Sequence, residues 1–391
     1  MSVSMFDGFL TTAAMDEVFS DRAALRAMLR FEQALAEAQA GLGMIPAPAA
    51  EAIAIACDPA RFDIAALTSD ARRAGSLAIP LVKELKRLAG DAGRHAHHGS
   101  TSQDVIDTAM VLMTRDALAL IDTTLTALAG HLLDLAERHA DTPVLARTLM
   151  QPAQVSSFGF KAAGWAAPLV RARARLREAG QRGLQLQLGG AVGTLAAMAP
   201  HGAAVAERMA AALDLQVAPA AWHTQRDEWI RLGMEVAVLC GSLGKIATDL
   251  ALMTQAEVAE VAEPRGEGRG GSTAMAHKHN PVAAMIALAA AARAPQRAAA
   301  LLAVMGQEHE RGLGNWQAEL AEWPGLFIST HGALAALNEA FAGLQVDSAR
   351  MLANIERLRE AAGGDIDPVR DAAPAAALAR IQLQSLRKEL P

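Results

Sequence analysis

Gly270-Gly271-Ser272-Thr273-Ala274-Met275-Ala276-His277-Lys278-His279-Asn280-Pro281 interrupts two long apolar segments. Its make-up suits neither neighbour: two glycines, two hydroxyls, a lysine, an asparagine and two histidines stand within twelve residues. Paired glycines let a backbone take positive φ or fold closely over a bound group, so a mobile loop is the expectation. Serine alone is a weak acid or base. A catalytic Ser272 needs its alkoxide stabilised by something fixed, and Lys278 or backbone N–H groups at the glycines can supply that. The competing reading is a solvated surface loop, with or without an anion site.

The segments on either side set the fold class. Apolar residues recur at helical spacing over about 227–261 and 281–310, and again over 104–140, 153–182 and 316–342. Nothing alternates with period two over enough residues to make a sheet. The expectation is therefore all-α: a central bundle of five long helices with polar connections. Shorter helical pieces at 21–39, 46–62 and 80–88 give a small N-terminal helical domain, 1–98; the bundle occupies 99–343. Segments after Asp347 and from about Ala373 give a small C-terminal helical domain, 344–391.

Composition narrows the function. The 391 residues are 52% hydrophobic and 20% charged, with abundant alanine, which favours close helix packing and an oligomer. Aromatics are 4% with no tyrosine, the net charge is -6, and no basic run is sustained, so a nucleic-acid partner is not expected. A small-molecule substrate is. Cys57 and Cys240 have neither metal-ligand nor disulfide spacing, which fits a reducing cytoplasm. No signal peptide is read at the N-terminus, and the richest apolar run, 281–305, contains Pro295 and reads as a buried core helix rather than a membrane span.

Polar knots stand at the ends of the long helices. Arg94-His95-Ala96-His97-His98-Gly99-Ser100-Thr101-Ser102-Gln103-Asp104 feeds the first of them, where Thr101 or Ser102 with Asp104 caps the helix and its free N–H groups make an anion site. Three histidines in four residues raise the question of metal, but the hydroxyl cluster beside them suits a carboxylate ligand better. No metal is expected. Arg147-Thr148-Leu149-Met150-Gln151-Pro152 is a second knot, and Trp222-His223-Thr224-Gln225-Arg226-Asp227 a third. Gly189 to Thr194 is a glycine-rich turn without the strand or acidic residue of a dinucleotide site. Opposite ends of a thirty-residue helix lie roughly 45 Å apart, so one bundle cannot pool these knots; several packed side by side can.

The three motifs resemble those of the fumarase/aspartase superfamily. The 271–281 segment is similar to its signature loop, usually Gly-Ser-Ser-x-Met-Pro-x-Lys-x-Asn-Pro, with Thr273 in place of the second serine and Ala276 in place of the proline. His97 to Asp104 resembles its first substrate-binding region and Arg147 to Ala153 its second. The resemblance implies a three-domain all-α fold and a homotetramer with a twenty-helix bundle, each active site being built from three subunits.

Within the superfamily, Thr101 to Thr108, Asn280-Pro281-Val282, Arg293-Ala294-Pro295 and Gln307 to Glu319 resemble the branch that closes a dienyl tricarboxylate to a lactone. The adenylosuccinate lyase branch is the alternative. It carries a histidine acid and a glutamate where this sequence has Leu149 and Met285, and leucine cannot transfer a proton.

By this resemblance Ser272 is the acid/base, and Lys278 and Asn280 bind the carboxylate that becomes enolate-like. Thr101, Ser102, Arg147, Thr148 and Gln151 hold the other carboxylates, and Thr273 and Met275 contribute from the loop. His97 orients substrate or shuttles a proton, with a solvated structural histidine as the alternative. Arg226 contacts substrate or pairs with Asp227. No organic cofactor is implied.

Overall fold

A computed structural model describes residues 5–266, 268–272, 274–275 and 278–390. Its N-terminal helices are α1 (Ala13–Val18), α2 (Asp21–Ala40), α3 (Ala47–Ala56), α4 (Ile64–Ala74) and α5 (Ala78–Leu88). The long helices are α6 (Ser102–Arg138), α7 (Phe158–Gly183), α9 (Asp227–Thr254), α10 (Val282–Ala303) and α11 (Asn315–Ala342), with the shorter α8 (Gly202–Leu213) between α7 and α9. Two more, α12 (Ser348–Ala362) and α13 (Pro368–Leu386), follow.

The five long helices pack on one another as a bundle: α10 lies against α9 and α11, α6 against α7 and α11, and α7 against α9. Small residues set the spacing. A Cβ on Gly244 of α9 would stand 2.5 Å from the Cβ of Ala291, so the Ala291 methyl of α10 sits directly on the α9 backbone. Ala283, Ala284, Ala287, Ala290 and Ala294 line the buried face of α10 for the same reason. Where the helices spread, aromatics fill the space: Trp229 stacks on Trp323 at 3.9 Å between ring centres, and Trp323 donates its indole N–H to Thr114 Oγ1 at 2.9 Å.

Chain direction divides the bundle into two ends. The start of α6 meets the approach to α9 through Asp104 and His223, and Gly183 at the end of α7 packs on Glu228 and Leu232 at the start of α9. At the other end Gly159, opening α7, lies against Ala136 and Ala140 at the close of α6, and Glu263 caps the first turn of α10 through the N–H groups of Ala283 and Ala284 at 3.0 Å each. With α9 and α11 at 28 residues and α6 at 37, the ends are some 40 Å or more apart at roughly 1.5 Å per residue.

Several boundaries differ from the sequence expectation. The stretch 143–157 is an antiparallel hairpin, β1 (Pro143–Thr148) with β2 (Gln151–Ser157), so α7 begins at Phe158 and not near 153. Two-residue ladders join β3 (Gln185–Leu186) to β4 (Gln216–Val217) and β5 (Val261–Ala262) to β6 (Gln345–Val346), too short for periodicity to reveal. Helix α9 stops at Thr254 and α10 at Ala303, because the apolar residues beyond them pack from extended or turn backbone. Helix α4, capped by Asp63 and closed by Gly75 in the left-handed region, has no fully buried residue and rests on the core only through the partly buried Ile64 and Leu67. Two helices, α6 and α9, have the length and apolar composition of a membrane span, and these exceed 281–305 in that respect. Both lie in the packed bundle, where Leu125, Leu128, Leu132, Leu239, Leu243 and Leu250 are fully buried.

His331 of α11 ties the N-terminal segment to the bundle, with Nδ1 2.9 Å from Thr12 Oγ1 and Nε2 3.2 Å from Thr124 Oγ1. Burial holds its imidazole below the usual value of 6.5. Folding therefore favours the neutral ring; the stability this gives is complete above pH 6.5 and is lost as pH falls through the lower folded value. Thermal melts should show the wild type less stable at pH 5 than at pH 7.5, and His331→Gln should remove part of that difference.

Candidate active site

Asp104, on the first turn of α6, organises one end of the bundle. Its buried carboxylate accepts from the N–H groups of Thr101 at 3.0 Å, Gly189 at 2.9 Å and Gly190 at 2.9 Å, and lies 2.7 Å from His223 Nε2. This accounts for the glycine-rich turn: its amides wrap a carboxylate of the protein itself. Gly190 has φ +70, and a Cβ there would stand 2.7 Å from Gly99 O, so no other residue allows the turn to close on the 97–101 segment.

One helical turn deeper, Asp107 and Glu319 flank the guanidinium of Arg226. Trp316 and Trp229 donate indole N–H groups to these two carboxylates at 2.9 Å each, and Gln103 and Gln187 donate to Asp107 at 3.1 Å. Arg226 also stands 4.5 Å from the centre of the Trp222 ring. Burial works against the Arg226 charge, but Asp107 and Glu319 outweigh it and keep the group protonated far beyond the ordinary range. Neither sequence reading of Arg226 holds. Its ion-pair partners are Asp107 and Glu319 rather than Asp227, and at 2% exposure it cannot meet a substrate.

Above this floor lie His97, Ser100, Thr101 and Ser102. Thr101 Oγ1 accepts from Arg311 Nη1 at 2.7 Å, and Arg311 Nη2 donates to Ala191 O at 2.9 Å. Among the described residues Arg311 has no carboxylate partner, so a cation stands free beside the hydroxyl predicted to hold an anion. Its place in a polar, glycine-containing break, 306–314, between two apolar helices was the available sequence signal. His97 sits at φ +61 with Nδ1 2.6 Å from Glu32 Oε1 and 3.0 Å from Ser100 Oγ.

At the opposite end, Arg147, Thr148 and Gln151 belong to the hairpin. Leu149 and Met150 form its two-residue turn at φ +51 and +66, a conformation costly for side chains of this kind, and they stand 97% and 67% exposed. Thr148 and Gln151 are exposed beside them. Arg147 faces inward: Nη1 and Nη2 donate to Glu260 at 3.2 and 3.0 Å, and Asn354 Nδ2 holds the same carboxylate at 2.8 Å. Only the rest of its N–H groups are available to a ligand.

The 270–280 segment is at this same end. Its neck is closed by Asn280 N donating to Gly270 O at 2.8 Å; Gly270 has φ +69, and a Cβ there would meet Asn280 O at 2.7 Å. Ser272 Oγ accepts from Met275 N at 3.2 Å and Ala274 N at 3.4 Å, so the amides aimed at it come from these residues rather than from the glycines. Asn280 Nδ2 is 3.4 Å from Gly271 O, and Lys278 and Met275 are exposed. Thr273, with Ala276 and His277, lies outside the described residues.

The adjoining cavity, about 120 Å³, is lined by Glu263, Arg269, His279 and Asn280 and is small for an organic polyanion. A larger one of about 560 Å³ between α6 and α7 holds none of these residues, and its Arg173 and Arg177 share the single carboxylate of Asp122. The chemistry thus locates the site better than cavity size does. Cys57 and Cys240 are not nucleophile candidates, since burial pushes their thiols up to about 12 and about 11.

Within one chain, then, His97, Thr101, Ser102 and Arg311 share one end of the bundle. Ser272, Lys278, Asn280, Arg147, Thr148 and Gln151 share the other.

Residues 10–295 match the family described as Lyase. The 3-carboxy-cis,cis-muconate cycloisomerase of Bradyrhizobium diazoefficiens is 50% identical over 351 residues, spanning 89% of this chain and 78% of the relative. That of Pseudomonas aeruginosa is 46% identical over 355 residues, spanning 90% and 77%. The crystal structure of 3-carboxy-cis,cis-muconate lactonizing enzyme from Pseudomonas putida superposes with a TM-score of 0.93 at 36% identity, over 99% of this chain and 100% of that one.

Removing one member of the buried charge cluster leaves the others uncompensated. Arg226→Met should cost about 3–5 kcal/mol of unfolding free energy, read as a lower denaturant midpoint.

Proposed function

The chain belongs to the Lyase family, with its fumarase/aspartase-type fold, and from that premise we propose that it is a 3-carboxy-cis,cis-muconate cycloisomerase acting in protocatechuate breakdown. A carboxylate of the substrate adds to one of its own double bonds. A proton is delivered to the carbon beside another carboxylate, and the product is 4-carboxymuconolactone. The addition is redox-neutral, and both new bonds are accounted for by substrate and a proton donor. The enzyme's task is to fold the diene and stabilise an enolate-like intermediate.

Ser272 carries the proton, its alkoxide stabilised by the amides of Ala274 and Met275. Lys278 and Asn280 hold the carboxylate that becomes enolate-like. Thr101, Ser102 and Arg311 take a second carboxylate, and Thr148, Gln151 and the free N–H groups of Arg147 a third. Thr273 and Met275 complete the loop's contact, and His97 orients substrate or moves a proton.

One observation carries the reading: the serine-bearing loop and the Thr101 knot lie a helix length apart in a single chain. Neighbouring antiparallel copies bring the two ends together, which supports a homotetramer with a twenty-helix bundle and sites shared by three subunits. The apolar side chains left exposed on the bundle, Met285, Leu288 and Leu302 of α10 and Val238 of α9, support such packing. Domains of 1–98, 99–343 and 344–391 and a cytoplasmic location belong to the same proposal. Leu149 at the hairpin tip offers no proton, which disfavours an adenylosuccinate lyase-like elimination.

Purified protein should consume the diene absorbance of 3-carboxymuconate and leave adenylosuccinate unchanged. Ser272→Ala should lower kcat by roughly 10²–10⁴-fold. Turnover of adenylosuccinate instead, or a monomer by sedimentation that is fully active, would sink the reading.

A further inference from the structure

Helix α2 passes beneath the 97–101 segment and grips it at two points. Glu32 and Gln39, seven residues apart on one face, are 1% and 0% exposed. Gln39 Nε2 donates to His98 O at 2.8 Å, while Glu32 Oε1 lies 2.6 Å from His97 Nδ1. The second oxygen of Glu32 is buried without any hydrogen-bond partner among the described residues, so this carboxylate is held in the protein interior for one contact. A buried carboxylate with a single partner is costly unless that partner is the reason for it. The backbone of His97 is also strained, at φ +61, as is common where a side chain must be aimed.

We propose that Glu32 is a positioning residue for the reaction: it fixes the orientation and tautomer of His97. A carboxylate accepts, so in the neutral ring Nδ1 carries the proton and Nε2 keeps its lone pair. That nitrogen has no partner among the described residues and is not among the buried unpaired atoms, on a side chain 16% exposed, so it is the ring edge left open to a ligand. Ser100 Oγ, 3.0 Å from Nδ1, shares the same proton. The N-terminal helices thereby set the geometry of a site whose other residues stand on the bundle. The proposal rests on His97 acting in the reaction proposed above.

The test separates the two claims. Nitrogen-15 NMR of the ring should show neutral His97 as the Nδ1–H tautomer in the wild type, and Glu32→Gln should shift it toward Nε2–H. Glu32→Gln should lower kcat by roughly 10–100-fold with KM within a few-fold, as for loss of groups that orient a functional histidine. Glu32→Asp, which keeps the acceptor but draws it back by a methylene, should fall between. Adding Glu32→Gln to His97→Asn should cost nothing further, since the two act as a unit. An Nε2–H tautomer in the wild type overturns the proposal even where Glu32→Gln does not fold. So does an unchanged kcat in folded Glu32→Gln while His97→Asn loses activity. Unchanged kcat in His97→Asn overturns the catalytic reading of His97 instead, and the tautomer measurement still decides whether Glu32 positions the ring.

Discussion

A helix advances by a fixed rise, and here that separates the candidate site residues into two groups. Residues 97–104 and 306–314 sit at one end of α6, α9, α10 and α11, while 147–151 and 270–280 sit at the other. No side-chain rearrangement closes a gap of that size. Any site using both groups has to be made by more than one chain, and the long, alanine-lined helices then serve as rigid spacers as well as core. Gly244 and Ala291 let α9 and α10 approach closely along their length.

Buried charge fixes the local geometry. Asp104 and Asp107 stand one turn apart inside the protein, and each collects every donor around it: glycine amides and His223 for the first, Arg226, Trp316 and two glutamines for the second. Unsatisfied, either carboxylate would be expensive in this environment. Satisfied, they lock four separate stretches of chain, 97–107, 187–190, 222–229 and 316–319, into one arrangement. Thr101 and Arg311, both half-buried, stand on top of that floor. The other end is held more lightly, by Glu263 capping α10 and by Glu260 pairing with Arg147 and Asn354, and its exposed polar groups lie on a loop and a hairpin tip.

Much of this was legible beforehand, for a physical reason in each case. Helical periodicity over twenty to thirty residues is hard to mimic, so the five long helices were evident, and polar residues clustered at their ends marked 97–104, 147–151 and 270–280. The hairpin at 143–157 was not evident. Its strands are short, and its turn residues, Leu149 and Met150, lack the glycine or asparagine that announces such a turn. Sequence does not decide the role of Arg226, because an arginine between aromatics and acids reads the same whether buried or exposed. Nothing local in the sequence marks Arg311, in the 306–314 break, or Glu32, on α2, as partners of Thr101 and His97.

Sequence alone determined the helical class, the order of the long helices and where polar residues cluster between them, because period, capping and composition are local properties written along the chain. The tertiary structure decided partnership: that Asp104 rather than a ligand fills the glycine turn, that Arg226 is sealed between Asp107 and Glu319, and that Glu32 reaches His97 across 65 positions. Such pairings depend on distances between residues remote in sequence, and only the packed chain sets those distances.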